Sequence, residues 1–203
     1  MGKTLLIALR ATVVTLALTG IAYPFVVTAI AQTLFPRRAE GSFVTDERGE
    51  VAGSDLIGQR FAEPWYFQGR PSAAGNEGYD ASSSGGSNFG VTSARLRARV
   101  AGETARLLRE NPEAKLPIPA ELVATSASGL DPHLSPAAVR WQIPRVAKAR
   151  GVAPSRLAAL VESQIEDRDL LVFGEPRVNL LALNLAVDRQ FGRHSGKLPG
   201  ALP

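Results

Sequence analysis

No charged side chain occurs from Ala11 to Pro36, a run of 26 residues bounded by Arg10 and Arg37. A bilayer core needs about 20 helical residues, so this run predicts one transmembrane helix over about 11–34. Ala11, Thr15 and Thr19 recur every four residues, a small-residue face suited to packing against another membrane helix. Gly20 and Pro24 are expected to bend the span, because proline lacks a backbone donor and crowds the preceding turn. Ala29-Ile30-Ala31 imitates a signal-peptidase site, although signal cores run only about 7–15 residues. The alternative is thus a secreted binding domain released by cleavage after Ala31. Lys3 and Arg10 with the amino terminus face Arg37 and Arg38 across the span, so charge alone does not orient it.

Beyond the span the periodicity changes repeatedly. Ser42-Phe43-Val44 and Glu50-Val51-Ala52 flank Asp46 and Gly49, the pattern of a short hairpin. From Gly69 to Gly90 glycine, serine, asparagine and proline dominate, and Ser82–Ser87 reads as a loop. That loop is either a solvated connector or a backbone-rich surface for a partner. A helix is predicted from Val91 to Glu110, with Leu96, Val100, Leu107 and Leu108 as its stripe and Asn111-Pro112 as its stop. Its arginines, at 95, 97, 99, 106 and 109, read as a solvated face. Ser135 caps and Pro136 opens a second helix, in which Pro144 should cause a kink or break before Gly151 ends it. Pro154 opens a third, with Leu157, Leu160, Val161 and Ile165 on one face. Val178–Phe191 reads as a last helix, with a strand possible at Val172-Phe173. The pattern predicts an α+β chain: an anchor segment over 1–35, one mixed α/β domain over 36–191, and a tail over 192–203.

Composition removes several chemistries. There is no cysteine, so disulfides and thiolate metal sites are excluded. The net charge of +4 permits an acidic partner or anionic lipid without demanding nucleic acid. His133 and His194 have no second ligand at metal spacing, so no metal site is expected. Gly2-Lys3-Thr4 copies the end of a phosphate loop without its upstream glycine and strand. No G-x-S-x-G elbow occurs, and no catalytic residue is assigned.

Five blocks carry a resemblance. They are the membrane-length segment, Trp65-Tyr66-Phe67-Gln68-Gly69-Arg70-Pro71-Ser72, Ser84-Gly85-Gly86-Ser87-Asn88, Ser126-Ala127-Ser128-Gly129-Leu130-Asp131, and Trp141-Gln142-Ile143-Pro144-Arg145-Val146-Ala147-Lys148-Ala149-Arg150. In this order, over about residues 5 to 191, the chain resembles the C subunit of the Kdp-type potassium-transporting ATPase of bacteria. The resemblance implies a non-catalytic subunit of a high-affinity potassium importer. Its partners would be a channel-like potassium-translocating subunit, a P-type ATPase subunit and a very small membrane subunit. The amino terminus would be cytoplasmic and the folded domain extracytoplasmic, on the bacterial inner membrane. The role implied is to assemble or stabilise the complex, and to act as a catalytic chaperone raising the ATPase subunit's affinity for ATP. ATP would enter through that subunit, potassium would be the transported ion, and the chain would hold no cofactor of its own.

The family's proposed nucleotide contact falls on Gln142, whose amide can both donate and accept. The plainer reading is a helix-surface or capping glutamine. An outward-facing domain would also separate Gln142 from cytoplasmic ATP by a bilayer. Gly69, Arg70, Pro71 and Ser72, with Ser84, Gly85, Gly86, Ser87 and Asn88, form the expected partner-binding loop.

A rival from another class is a membrane-anchored helix-turn-helix DNA-binding regulator. Arg140, Arg145, Lys148, Arg150 and Arg156 lie in a stretch without acidic residues from Pro132 to Val161. Glu162, Glu166 and Asp167 on the would-be reading segment oppose phosphate.

Overall fold

The computed structural model describes residues 1–115 and 117–193. His194 and most of the expected tail therefore lie outside the described residues. Two compact units divide after Phe43.

The first unit is dominated by an unbroken apolar helical rod, Gly2–Leu34, about 50 Å long at 1.5 Å per residue. It begins nine residues before the predicted start, because Gly2–Arg10 continue the helix on the polar side of the apolar run. The rod comprises α1 (Gly2–Ala17), a π-helical turn (Leu18–Ala22) and α2 (Tyr23–Leu34). The π turn is the local answer to Pro24. Widening the turn, with the Tyr23 N–H reaching the Leu18 carbonyl, makes room for a residue that has no N–H of its own. A short α3 (Pro36–Ala39) follows.

A hairpin follows, β1 (Phe43–Thr45) and β2 (Val51–Ser54), all of it but Phe43 in the second unit. Asp46 ties its turn by accepting from the Arg48 and Glu50 amides. The helix α4 (Ala94–Glu110) starts three residues later than predicted, where Ser93 accepts from the Leu96 amide. Only Leu107 of its expected stripe is buried, and Leu108 is exposed. A two-residue ladder, β3 (His133–Leu134) with β4 (Val178–Asn179), pairs His133 with Asn179 and Leu134 with Val178. It introduces α5 (Pro136–Arg150) and α7 (Leu180–Phe191), with α6 (Pro154–Ser163) packed against both. Ser135 caps α5 through the Ala138 amide, and its hydroxyl donates to the Glu121 carboxylate.

Pro144 does not break α5, which runs through it to Gly151. Burial on several sides of the helix, including Val139, Ile143, Val146 and Ala147, outweighs one missing hydrogen bond. The core joins these residues to Leu157, Val161, Leu183 and Val187. The α and β content is mixed as expected, but the strands span only two to four residues each. There is no broad sheet among the described residues.

Candidate functional site

Against this core lies Trp65-Tyr66-Phe67-Gln68, a segment that leaves a turn at Glu63–Tyr66 and belongs to no strand. Tyr66 and Phe67 are buried, so their peptide groups need partners inside the protein. Side chains from α5 and α7 supply them. Asn184 accepts from the Phe67 amide at 2.9 Å and donates to the Phe67 carbonyl at 2.9 Å. Gln142 does the same one residue on, accepting from the Gln68 amide at 2.8 Å and donating to the Gln68 carbonyl at 2.9 Å. Two side-chain amides thus stand in for a β-ladder.

Two arginines complete the grip. Arg145 donates to the carbonyls of Pro64 and Tyr66 and to Gln142 Oε1. Burial pushes its guanidinium down to about 10, which leaves it charged at neutral pH. Arg150 donates to the Trp65 carbonyl and to Asp188, and lies over the Tyr66 ring. Asp188 also accepts from the Tyr66 hydroxyl at 2.6 Å. Burial raises the Tyr66 phenol well above its usual range, reinforced by that bond and by the Asp188 charge.

Gln142 is therefore neither a surface nor a capping glutamine. It is 1 % exposed, and both of its amide atoms are occupied by protein groups. The helix-surface expectation failed because the partner backbone lies 74 residues away in sequence and leaves no local mark.

The expected partner loop is strapped to the segment 124–131. Arg70 pairs with Asp131 at 3.2 Å and donates to the carbonyls of Ala124 and Thr125. Ser72 donates to the Gly129 carbonyl and accepts from the Ala74 and Tyr79 amides. Ser84 and the Gly85 amide both donate to the Ser128 carbonyl. Ser87 accepts from Arg99. Asn88 and Ser84 remain exposed, and Gly85, Gly86 and Ser87 are half-buried. Glycine is needed where the strap touches its base. A Cβ on Gly86 would lie 2.9 Å from the Ala127 carbonyl oxygen, and one on Gly69 2.7 Å from the Tyr79 hydroxyl. That hydroxyl donates to the Arg70 carbonyl, and burial raises its pKa to about 12. Gly86→Val should accordingly cost about 1–3 kcal/mol by overpacking. Thermal unfolding checks this: a wild-type melting temperature would mean the strap is not held there.

Gly69, Arg70, Pro71 and Ser72 also line an open cleft of about 480 Å³. Gln68 lines it as well, on the other side of the peptide that Gln142 holds. Across the cleft Arg106 binds Glu103, Glu110 and Gln68 Oε1. Two of the five α4 arginines therefore depart from the predicted solvated face, since Arg99 donates to Ser87 and packs over Phe89. Four arginines and three glutamates line the cleft, and there is no group of three potential metal ligands among the described residues.

In the first unit Ala11, Thr15 and Thr19 are exposed, and the Thr19 hydroxyl bonds back to the Thr15 carbonyl. The basic run of the DNA-binding alternative is divided between two buried arginines and three exposed residues with protein partners. Arg145 and Arg150 are buried, Arg140 pairs with Glu162, Lys148 with Glu113, and Arg156 stacks on Phe191. Sequence reasoning missed Asn184 and Asp188. Their signal was two polar residues one turn apart, Asn184 inside the apolar run Leu180–Val187 and Asp188 directly after it.

The chain matches the family model described as KdpC, K+-transporting ATPase, c chain, over residues 5–189. It is 58 % identical over its full length to the potassium-transporting ATPase KdpC subunit of Myxococcus xanthus, covering 94 % of that protein. The KdpC subunit of Caulobacter vibrioides is 53 % identical over 86 % of this chain and 87 % of its own length. That of Nitratidesulfovibrio vulgaris is 52 % identical over 89 % and 92 %.

Proposed function

The chain belongs to the KdpC family, the c chain of K+-transporting ATPases, and from that premise we propose that it is a non-catalytic subunit of an ATP-driven potassium importer. It assembles with a channel-like potassium-translocating subunit, a P-type ATPase subunit and a small membrane subunit. The rod Gly2–Leu34 anchors it in the bacterial inner membrane, amino terminus inside, with the Ala11–Thr15–Thr19 face against a neighbouring membrane helix. The domain from Pro36 to Phe191 works outside. Full-length identity to named KdpC subunits, joined to one membrane-length helix, carries this reading.

The domain stabilises the complex and raises the ATPase subunit's apparent affinity for ATP through assembly, with Gln142 contributing by shape. Saturation of its amide by Gln68 and Arg145 supports an indirect route. The strap residues Ser84–Asn88 and the cleft rim at Gly69–Ser72 form the face offered to the potassium-translocating subunit.

Topology tests the reading. The chain has no cysteine, so one placed at the exposed Ser163, at the end of α6 and outside the strap and the cleft rim, is a unique label. It should react with an impermeant maleimide while the inner membrane is intact, in a chain that co-purifies with the ATPase. Labelling only after inner-membrane lysis would put the domain in the cytoplasm and reopen direct nucleotide contact. A soluble mature chain beginning at Gln32 would replace the anchor with a cleaved leader.

A further inference from the structure

Large apolar side chains of the second unit mostly enter the core, yet four consecutive ones do not. Leu170, Leu171, Val172 and Phe173 are 84, 81, 67 and 64 % exposed at the tip of an arm between Glu166 and Arg177. The arm is a two-rung stalk. Glu166 and Arg177 exchange backbone hydrogen bonds at 2.8 and 3.0 Å, and Asp169 and Phe173 exchange two at 2.9 Å. Arg177 binds the carboxylates of both Glu166 and Asp169, and Arg168 binds Glu175 across the stalk. Leu170 and Leu171 both adopt left-handed backbone, with φ of 52° and 67°, a region where a branched side chain is crowded. This conformation turns four apolar groups into solvent on a braced support. The predicted strand at Val172-Phe173 is reduced to one bridge by the same turn.

Contiguous exposed apolar residues at one point mark an interaction site. Their surroundings select its kind. Glu166, Asp167, Asp169 and Glu175 outnumber Arg168 and Arg177 by four to two around the tip. Segments that enter anionic bilayers carry lysine and arginine beside their apolar groups, and an acidic collar is repelled there. The same collar is complementary to a basic rim on a protein. A stalk already ordered before binding loses little conformational freedom on docking.

We propose that the tip Leu170–Phe173 seats in an apolar, basic-rimmed pocket on the extramembrane surface of another subunit of the complex. The assignment rests on the reading of this chain as a subunit of a potassium-transporting ATPase. Phe173 and the two leucines fill the pocket, and the acidic collar pairs with its rim.

Photocrosslinking in the whole complex tests it. A benzophenone attached to a cysteine at Leu171 should give an adduct with a partner subunit. The full-length Leu170→Asp/Leu171→Asp variant should be retained by the complex about 100-fold more weakly. Its thermal unfolding in detergent should match the wild type, because neither side chain has a buried environment to lose. Adducts with lipid alone, with a second copy of this chain, or with nothing would overturn the proposal, as would wild-type retention of the variant. If the wild-type chain does not co-purify with a potassium-transporting ATPase, the assembly reading fails and the docking with it. Co-purification without a protein adduct sinks the docking alone.

Discussion

Arg150→Met is expected to lower the stability of the full-length chain by about 3–5 kcal/mol, the cost typical of breaking a buried ion pair on one side. Arg150 has a fully buried side chain and meets Asp188, 8 % exposed, at 2.7 Å. Its other donors reach the Trp65 and Gly192 carbonyls. Removing the guanidinium leaves the Asp188 carboxylate in low dielectric with only the Tyr66 hydroxyl as a donor among the described residues. It also leaves the Trp65 carbonyl without its arginine. Denaturant unfolding in detergent measures the loss. The double variant Arg150→Met/Asp188→Leu should recover part of it, about 1–4 kcal/mol, because no isolated charge stays buried. If the two substitutions add without recovery, the pair is not coupled in the manner its geometry implies.

Gln142→Leu keeps the volume and removes the hydrogen bonds. The Gln68 N–H and C=O then lose their partner, at about 1–3 kcal/mol each, so a total of about 2–6 kcal/mol is expected. Arg145 keeps the Pro64 and Tyr66 carbonyls. Gln142→Glu should fall between wild type and leucine, since a carboxylate accepts from Gln68 and Arg145 but cannot donate to the Gln68 carbonyl. Hydrogen exchange at the Gln68 amide should accelerate in both variants and most in leucine. Measured beside this, the ATP concentration for half-maximal activity of the assembled complex should follow the loss of folded subunit. A rise in that concentration with unchanged stability and unchanged exchange would instead place a nucleotide against Gln142.

Near-neighbour chemistry was readable along the chain. An uncharged run longer than a bilayer core forms a helix in the structure, and the cap at Ser135 with proline at Pro136 and Pro154 opens two more. The turn at Asp46 and Gly49 closes the hairpin in place. These features depend on groups a few residues apart, so composition and spacing carry them. The helix boundaries slipped where a cap competed with an apolar residue, as at Val91 against Ser93. Nothing local announces that Gln142 faces Gln68, Asn184 faces Phe67, or Arg145 and Arg150 reach carbonyls from Pro64 to Tyr66. Those partners lie 74 to 117 residues apart. An arginine or glutamine on a helix looks solvated until packing brings an unpaired peptide against it. The strap behaves likewise: glycine and serine from 82 to 87 have the composition of a loose loop, and the backbone of Ala127 and Ser128 beside Ser84–Gly86 holds them. Pro144 shows the reverse error, a local rule overridden because several faces of its helix are buried. Local propensity is worth tenths of a kcal/mol per residue, whereas an unsatisfied buried peptide group costs whole ones. Contacts between residues distant in sequence therefore outweigh local preference, and they set the interior of this domain.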